Sequence, residues 1–152
     1  MPKPEKASGP IAEDVSPNSP KIPRVFGDVA REANGRLEDA FFPYDRSELT
    51  EQALAALRHD AELLSALLRE FPAAKVVVEG HCDERGSGEY NLALGDRRAS
   101  RVAEVLHQFA IPADRMNVIS YGKERPQCID AAESCWRKNR RAHLSIAQDL
   151  SM

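Results

Sequence analysis

At 152 residues, with a formal net charge of −3 and 30% charged residues, the chain has room for one domain with a genuine core. Neither a basic block nor basic residues interleaved with aromatics is present, which argues against nucleic acid as a partner. No apolar run approaches the roughly 18 residues of a membrane-spanning helix.

Residues 1–35 are rich in Pro, Lys, Glu, Asp and Ser and poor in large apolar side chains. Such a segment buries too little surface to offset its ordering entropy, so it is expected to be a flexible tether ahead of a domain at 36–152. The domain opens on a short strand at 37–42. Leu54, Leu57, Ala61, Leu64, Leu68 and Phe71 then recur at steps of three and four, one apolar stripe of a helix that Pro72 ends. Asp45 or Ser47 is the expected cap of that helix, with Glu48 completing a capping box behind Asp45.

Lys75-Val76-Val77-Val78-Glu79, bounded by Pro and Gly, reads as a buried central strand. A second helix over 89–109 turns Ala99, Val102, Ala103, Leu106 and Phe109 inward, and Asn91, Leu94 and Arg98 form a neighbouring stripe. Strands are expected at 116–121 and 142–146. The order β-α-β-α-β-β implies an α+β fold, a sheet with its helices on one face.

Cys128 and Cys135 enclose six residues of a polar loop, a spacing that suits a local disulfide and an oxidising compartment; two reduced thiols are the alternative. Cys82 is left over and reads as a half-buried, small apolar residue that is inert. The four histidines lack ligand spacing, so neither a metal nor a cofactor is expected, and His81 reads as a hydrogen-bonded structural residue.

The sharper pair is Asp83, in the polar loop after the central strand, and Arg98 on the second helix. They read either as a plain ion pair or as a clamp in which Asp83 takes an ammonium and Arg98 a carboxylate of one zwitterionic ligand, with Leu94 as an apolar wall. Replacing either residue is then expected to remove binding and leave the fold intact. Asp45 sits at a strand-to-helix junction, where it either caps the helix or joins the site, and Arg140 of Asn139-Arg140-Arg141 either faces solvent or points into the same groove. A hydrolase built on Asp83 and Glu84 is disfavoured, because neighbours on one loop diverge, whereas glycosidase carboxylates face each other across about 5 to 9 Å.

Tyr44-Asp45, Gly80-His81-x-Asp83, Tyr90-Asn91-x-x-Leu94-Gly95-x-Arg97-Arg98-Ala99, Tyr121-Gly122-Lys123-Glu124-x-Pro126 and Asn139-Arg140-Arg141 occur in order over 37–148. Together they resemble the OmpA-like peptidoglycan-binding domain, and Asp83-Glu84-Arg85-Gly86 most resembles the peptidoglycan-associated lipoprotein branch of that family. The resemblance implies a βαβαββ two-layer sandwich on a mixed four-stranded sheet, with no enzymatic activity. It implies non-covalent binding of the diaminopimelate of the peptidoglycan stem peptide by Asp83, Arg98, Leu94, Asp45, Tyr44, Asn91 and Arg140. It further implies the periplasmic face of the outer membrane, TolB and other Tol proteins as partners, and a signal peptide and lipid-bearing cysteine upstream of Met1. The wall-anchoring end of a flagellar stator or an OmpA-type porin is the alternative assembly. Tyr44 replaces a usual Phe and Cys82 a usual Thr or Ala, while Glu84, Arg85 and His81 read as subtype markers and scaffold.

Overall fold

The computed structural model describes residues 24–148. Its elements run α1 (Phe26–Arg36), β1 (Ala40–Phe41), α2 (Glu51–Glu70), β2 (Ala74–His81), α3 (Gly88–Gln108), a 3-10 turn (Ala113–Arg115), β3 (Met116–Gly122), α4 (Glu133–Asn139) and β4 (Arg141–Gln148). The sheet order is β1-β4-β2-β3, with β2 parallel to β3 and antiparallel to β4. A mixed four-stranded α+β sheet with β2 inside it is the architecture expected from sequence. Among the described residues no helix is long and apolar enough to cross a membrane.

Two-residue alternation decides which side of the sheet is covered. Ala40, Ala74, Val76, Val78, Ala142, Leu144 and Ile146 join one core with Leu57, Ala61, Leu64 and Leu68 of α2 and Ala99, Val102, Val105 and Leu106 of α3. The alternate side chains Lys75, Val77, Glu79, His143 and Ser145 remain half-buried. Of the expected inward stripe on α3, Ala103 and Phe109 are only partly buried, and Val105 is a core member that the stripe did not include.

Several boundaries depart from expectation. Residues 26–35 of the expected tether belong to α1: Ala30 is buried, Phe26 meets Phe71 edge-on at 5.3 Å, and Asn34 Oδ1 accepts from the Ile146 N–H at 2.9 Å. The rest of the expected tether, residues 1–23, lies outside the described residues. The cap of α2 is Thr50, whose Oγ1 accepts from the Ala53 N–H at 3.1 Å, and not Asp45 or Ser47. Strand β1 shrinks to two residues, and α4 occupies part of what reads as loop.

Glycine sets how closely α3 approaches β2. A Cβ built on Gly80 would lie 1.7 Å from the Gly95 carbonyl oxygen, so only glycine lets this helix backbone touch the strand. Gly80→Ala forces the two elements apart and is expected to cost about 3 kcal/mol, read as a lowered urea midpoint with unchanged slope. An unshifted midpoint would show that the contact yields cheaply.

The core also contains Asp60, with no exposed surface. Oδ1 accepts from the Glu38 N–H at 2.9 Å, but Oδ2 has no hydrogen-bond partner. Burial pushes its carboxyl from an ordinary 3.8 up to about 6, against the pull of the Glu38 N–H. A carboxyl with a raised folded-state pKa loses stability as pH rises from the unfolded value through the folded one. Asp60→Asn is therefore expected to stabilise the domain by about 1–2 kcal/mol at pH 7.5 and not at pH 3.5, measured by urea unfolding at both. The same gain at both pH values would exclude ionisation as its cause.

Candidate functional site

The loop after β2 is shaped by Asp83 and Gly86. Asp83 Oδ1 accepts from the Arg85 N–H at 3.0 Å, and Gly86 sits at φ +95°, a left-handed turn that favours glycine. Ser87 then caps α3, its Oγ accepting from the Tyr90 N–H at 3.1 Å. Asn91 Nδ2 donates back to the carbonyls of Arg85 (2.8 Å) and Ser87 (3.0 Å), so this buried side chain holds the loop against the helix.

Asp83 itself is 4% exposed and carries two cations. Arg85 donates to both of its oxygens, from Nε at 3.1 Å and from Nη2 at 2.6 Å, and Arg140 Nη1 approaches Oδ2 at 3.5 Å. Burial pushes the Asp83 carboxyl up, but the hydrogen bonds from Arg85 and the charge of Arg140 outweigh it and hold the group below the ordinary carboxylate range. The guanidinium of Arg85 lies between two aromatic rings, 4.0 Å from the centroid of Tyr44 and 3.9 Å from that of Trp136. The Trp136 Nε1–H donates to Glu84 at 3.2 Å, so Asp83 and Glu84 turn to different partners.

Helix α4 brings in the third side of the cluster. The expected disulfide joins Cys128 to Cys135, and Asn139 stitches the same loop by accepting from the Gln127 and Cys128 N–H groups and donating to the Cys128 carbonyl. This fixes Glu133, Trp136 and Arg140 together. Arg140 donates from Nε to the Phe42 carbonyl at 2.8 Å and from both terminal nitrogens to Glu133, at 3.3 and 2.8 Å.

Arg98 is placed differently from the expected clamp. It is fully buried and donates to three backbone carbonyls: Arg46 at 2.8 Å, His81 at 2.9 Å and Pro43 at 3.2 Å. Its guanidinium also lies 5.2 Å from the centroid of the Phe42 ring. The ion pair conceivable between Asp83 and Arg98 is thus replaced by pairs of Asp83 with Arg85 and Arg140, while Arg98 knits α3 to the 42–46 loop and the end of β2. Asp45 takes φ 58° at the tip of that loop, and its carboxylate accepts from the Tyr90 hydroxyl. Tyr44, Asp45 and the buried Leu94 line one cleft of about 440 Å³, together with Arg46, Ser47, Glu48 and the exposed Arg97. Tyr44 is the shared wall, facing this cleft and stacking on Arg85. A larger cleft of about 690 Å³ shares only Arg140 with the expected ligand-binding set.

Of the seven expected ligand residues, the structure therefore gathers Asp83, Arg140 and Tyr44 around Arg85, and Tyr44, Asp45 and Leu94 around the cleft; Asn91 and Arg98 stand behind as supports. Arg85, Trp136 and Glu133 are the additions. Arg85 in particular is the main partner of Asp83, and the one available signal in the sequence is its place two residues downstream. His81 is hydrogen-bonded as expected, and Cys82 is fully buried where a half-buried position is expected. The buried His81 ring bonds Glu79 at 3.0 Å, and Cys82 Sγ donates to the Asn91 carbonyl at 3.3 Å with its thiol pushed up by burial to about 11.

The chain is 43% identical over 102 residues to the peptidoglycan-associated lipoprotein of Brucella melitensis, an alignment covering 67% of this chain and 58% of that protein. To the protein of the same description from Agrobacterium fabrum it is 45% identical over 102 residues, 67% of this chain and 55% of the relative. The chain thus spans a little over half the length of the curated relatives it matches. The crystal structure of the peptidoglycan-associated lipoprotein from Burkholderia pseudomallei superposes with a TM-score of 0.68 at 32% identity, covering 75% of this chain and 93% of that one. The C-terminal domain of Helicobacter pylori MotB shares the fold, with a TM-score of 0.64 at 19% identity over 74% of this chain and 86% of that one. Since the OmpA family model matches residues 41–140, across the Asp83 loop, α3 and α4, the chain belongs to the OmpA family.

Proposed function

We propose that this domain binds the stem peptide of peptidoglycan non-covalently, through the zwitterionic end of diaminopimelate, and performs no chemistry on it. The carrying observation is Asp83: a nearly buried carboxylate, kept ionised by flanking guanidinium groups, beside the cleft walled by Tyr44, Asp45 and Leu94. A buried ionised acid can take an ammonium group in charge-assisted hydrogen bonds, provided the ligand displaces a guanidinium now paired with it. Arg98 provides the fixed positive charge behind the cleft, with Arg97 and Arg85 as the accessible cations for the ligand's carboxylate. The names of the relatives support the wall as the ligand and a lipid-borne parent. On this reading the domain ties the outer membrane to the wall from the periplasm, with the Tol proteins, TolB among them, as its partners.

The test is retention on purified diaminopimelate-type sacculi, competed with a soluble stem peptide. Retention that the peptide displaces, and that weakens on lysine-type sacculi lacking the side-chain carboxylate, is the expected result. Equal retention on both wall types would overturn the zwitterion reading, and release of soluble muropeptides would replace it with a hydrolase.

A further inference from the structure

We infer that Arg85 is a specificity-determining residue that occupies Asp83 in place of the ligand's ammonium, so that ligand entry is an exchange of ion pairs. The inference rests on the zwitterion reading of the site and adds which chemical groups the ligand must carry.

The two cations on Asp83 are not equivalent. The Arg140 side chain is 6% exposed and is anchored elsewhere by the Phe42 carbonyl and both oxygens of Glu133. The Arg85 side chain is 31% exposed, and its hydrogen bonds go to Asp83 alone. Its remaining contacts are the ring faces of Tyr44 and Trp136. Stacking on a ring face constrains the plane of a guanidinium far more than its direction within that plane. Arg85 can therefore turn away from Asp83 and stay on the rings, whereas Arg140 cannot leave without giving up the buried Phe42 carbonyl and both bonds to Glu133.

Charge then decides what can enter. A ligand with only an ammonium takes Asp83 and leaves the Arg85 guanidinium without its hydrogen-bonded acid. Glu133, the other acid whose charge acts on Arg85, is already held through both oxygens by Arg140. A ligand with an adjacent carboxylate brings the replacement partner itself, so that Asp83 and Arg85 are both paired after entry. Arg85 thus discriminates against simple amines, lysine side chains included, and favours a zwitterionic end group.

Calorimetric titration of the whole chain and its R85Q variant with two stem tripeptides, one ending in diaminopimelate and one in lysine, tests this. In R85Q the lysine peptide is expected to bind about fivefold to tenfold tighter than in the parent, the gain from no longer opening a partly exposed ion pair. The diaminopimelate-to-lysine preference is expected to shrink by a similar factor. Trp136, the single tryptophan, supplies a second readout: its emission should change as the guanidinium stacked on its ring turns from Asp83 toward the ligand in the parent. Equal weakening of both peptides in R85Q would make Arg85 a loop support, and an unchanged preference would place discrimination elsewhere; either overturns the inference while leaving the zwitterion reading in place. No binding of either peptide to either protein would overturn both. Should R85Q fail to fold by circular dichroism, R85K carries the test, since an ammonium cannot hold both Asp83 oxygens and an intermediate preference is expected.

Discussion

Replacing Arg98 by alanine is expected to lower stability by about 3–5 kcal/mol, much of the roughly 5–15 kcal/mol that holds a domain of this size together. The side chain is fully buried, and its guanidinium satisfies the carbonyls of Pro43, Arg46 and His81, which lie on two different segments. Alanine leaves those acceptors without a donor and a cavity beneath the Phe42 ring, and each unsatisfied buried group costs about 1–3 kcal/mol. Arg98→Lys cannot bridge three diverging carbonyls from one ammonium and is expected to recover only part of the loss. Urea unfolding followed by Trp136 emission measures both; an Arg98→Ala domain within about 0.5 kcal/mol of the parent would refute the account. The sequence expectation is that this substitution removes binding and spares the fold; the buried bonds of Arg98 argue that the fold would not be spared. Loss of wall binding in Arg98→Ala reports collapse of the 43–46 loop as much as loss of a ligand contact.

The placement of Arg98 marks where sequence pattern stops being informative. The spacing of Asn91, Leu94 and Arg98 places them on one helix face, and all three are buried there, because three- and four-residue steps are a local property of the backbone. What Arg98 touches is set by loops more than fifty positions away, which no local period encodes. The chain offers Arg85, Arg97, Arg98, Arg140 and Arg141 as conceivable partners for Asp83, and only the folded path of α4 selects Arg140. Helix α1 escaped notice because its apolar residues are diluted by charges and by Gly27 and Gly35, and because its stability comes from packing on β4 and Phe71. Helix α4 is seven residues long and tied by the disulfide, too short for an apolar stripe to show. The cap of α2 was misplaced because Asp45, Ser47 and Thr50 are all good caps by composition, and Asp45 is instead spent on a left-handed turn facing Tyr90.

Asp83→Asn is expected to weaken binding to diaminopimelate-type sacculi by about 30-fold or more, the usual cost of neutralising one partner of a desolvated charge pair. The substitution keeps the shape of the side chain and one carbonyl oxygen, so Arg85 retains a hydrogen bond and Arg140 keeps Glu133. Its cost to the fold is therefore expected to stay near 1–2 kcal/mol, far below that of Arg98→Ala. The pH dependence separates a charge effect from a change of shape. With the folded carboxyl held below its ordinary value, Asp83 stays ionised from neutral pH downward and its contribution is lost only as pH falls through that lowered value. Binding by the parent is accordingly expected to be flat from pH 8 to 5 as far as Asp83 is concerned and to fall only at pH values below the ordinary 3.8 of an aspartate. Asp83→Asn should show no such acid-side fall of its own. Sacculus retention by a folded Asp83→Asn domain that matches the parent across this range would remove Asp83 from the binding site, and with it the ion-pair exchange at Arg85.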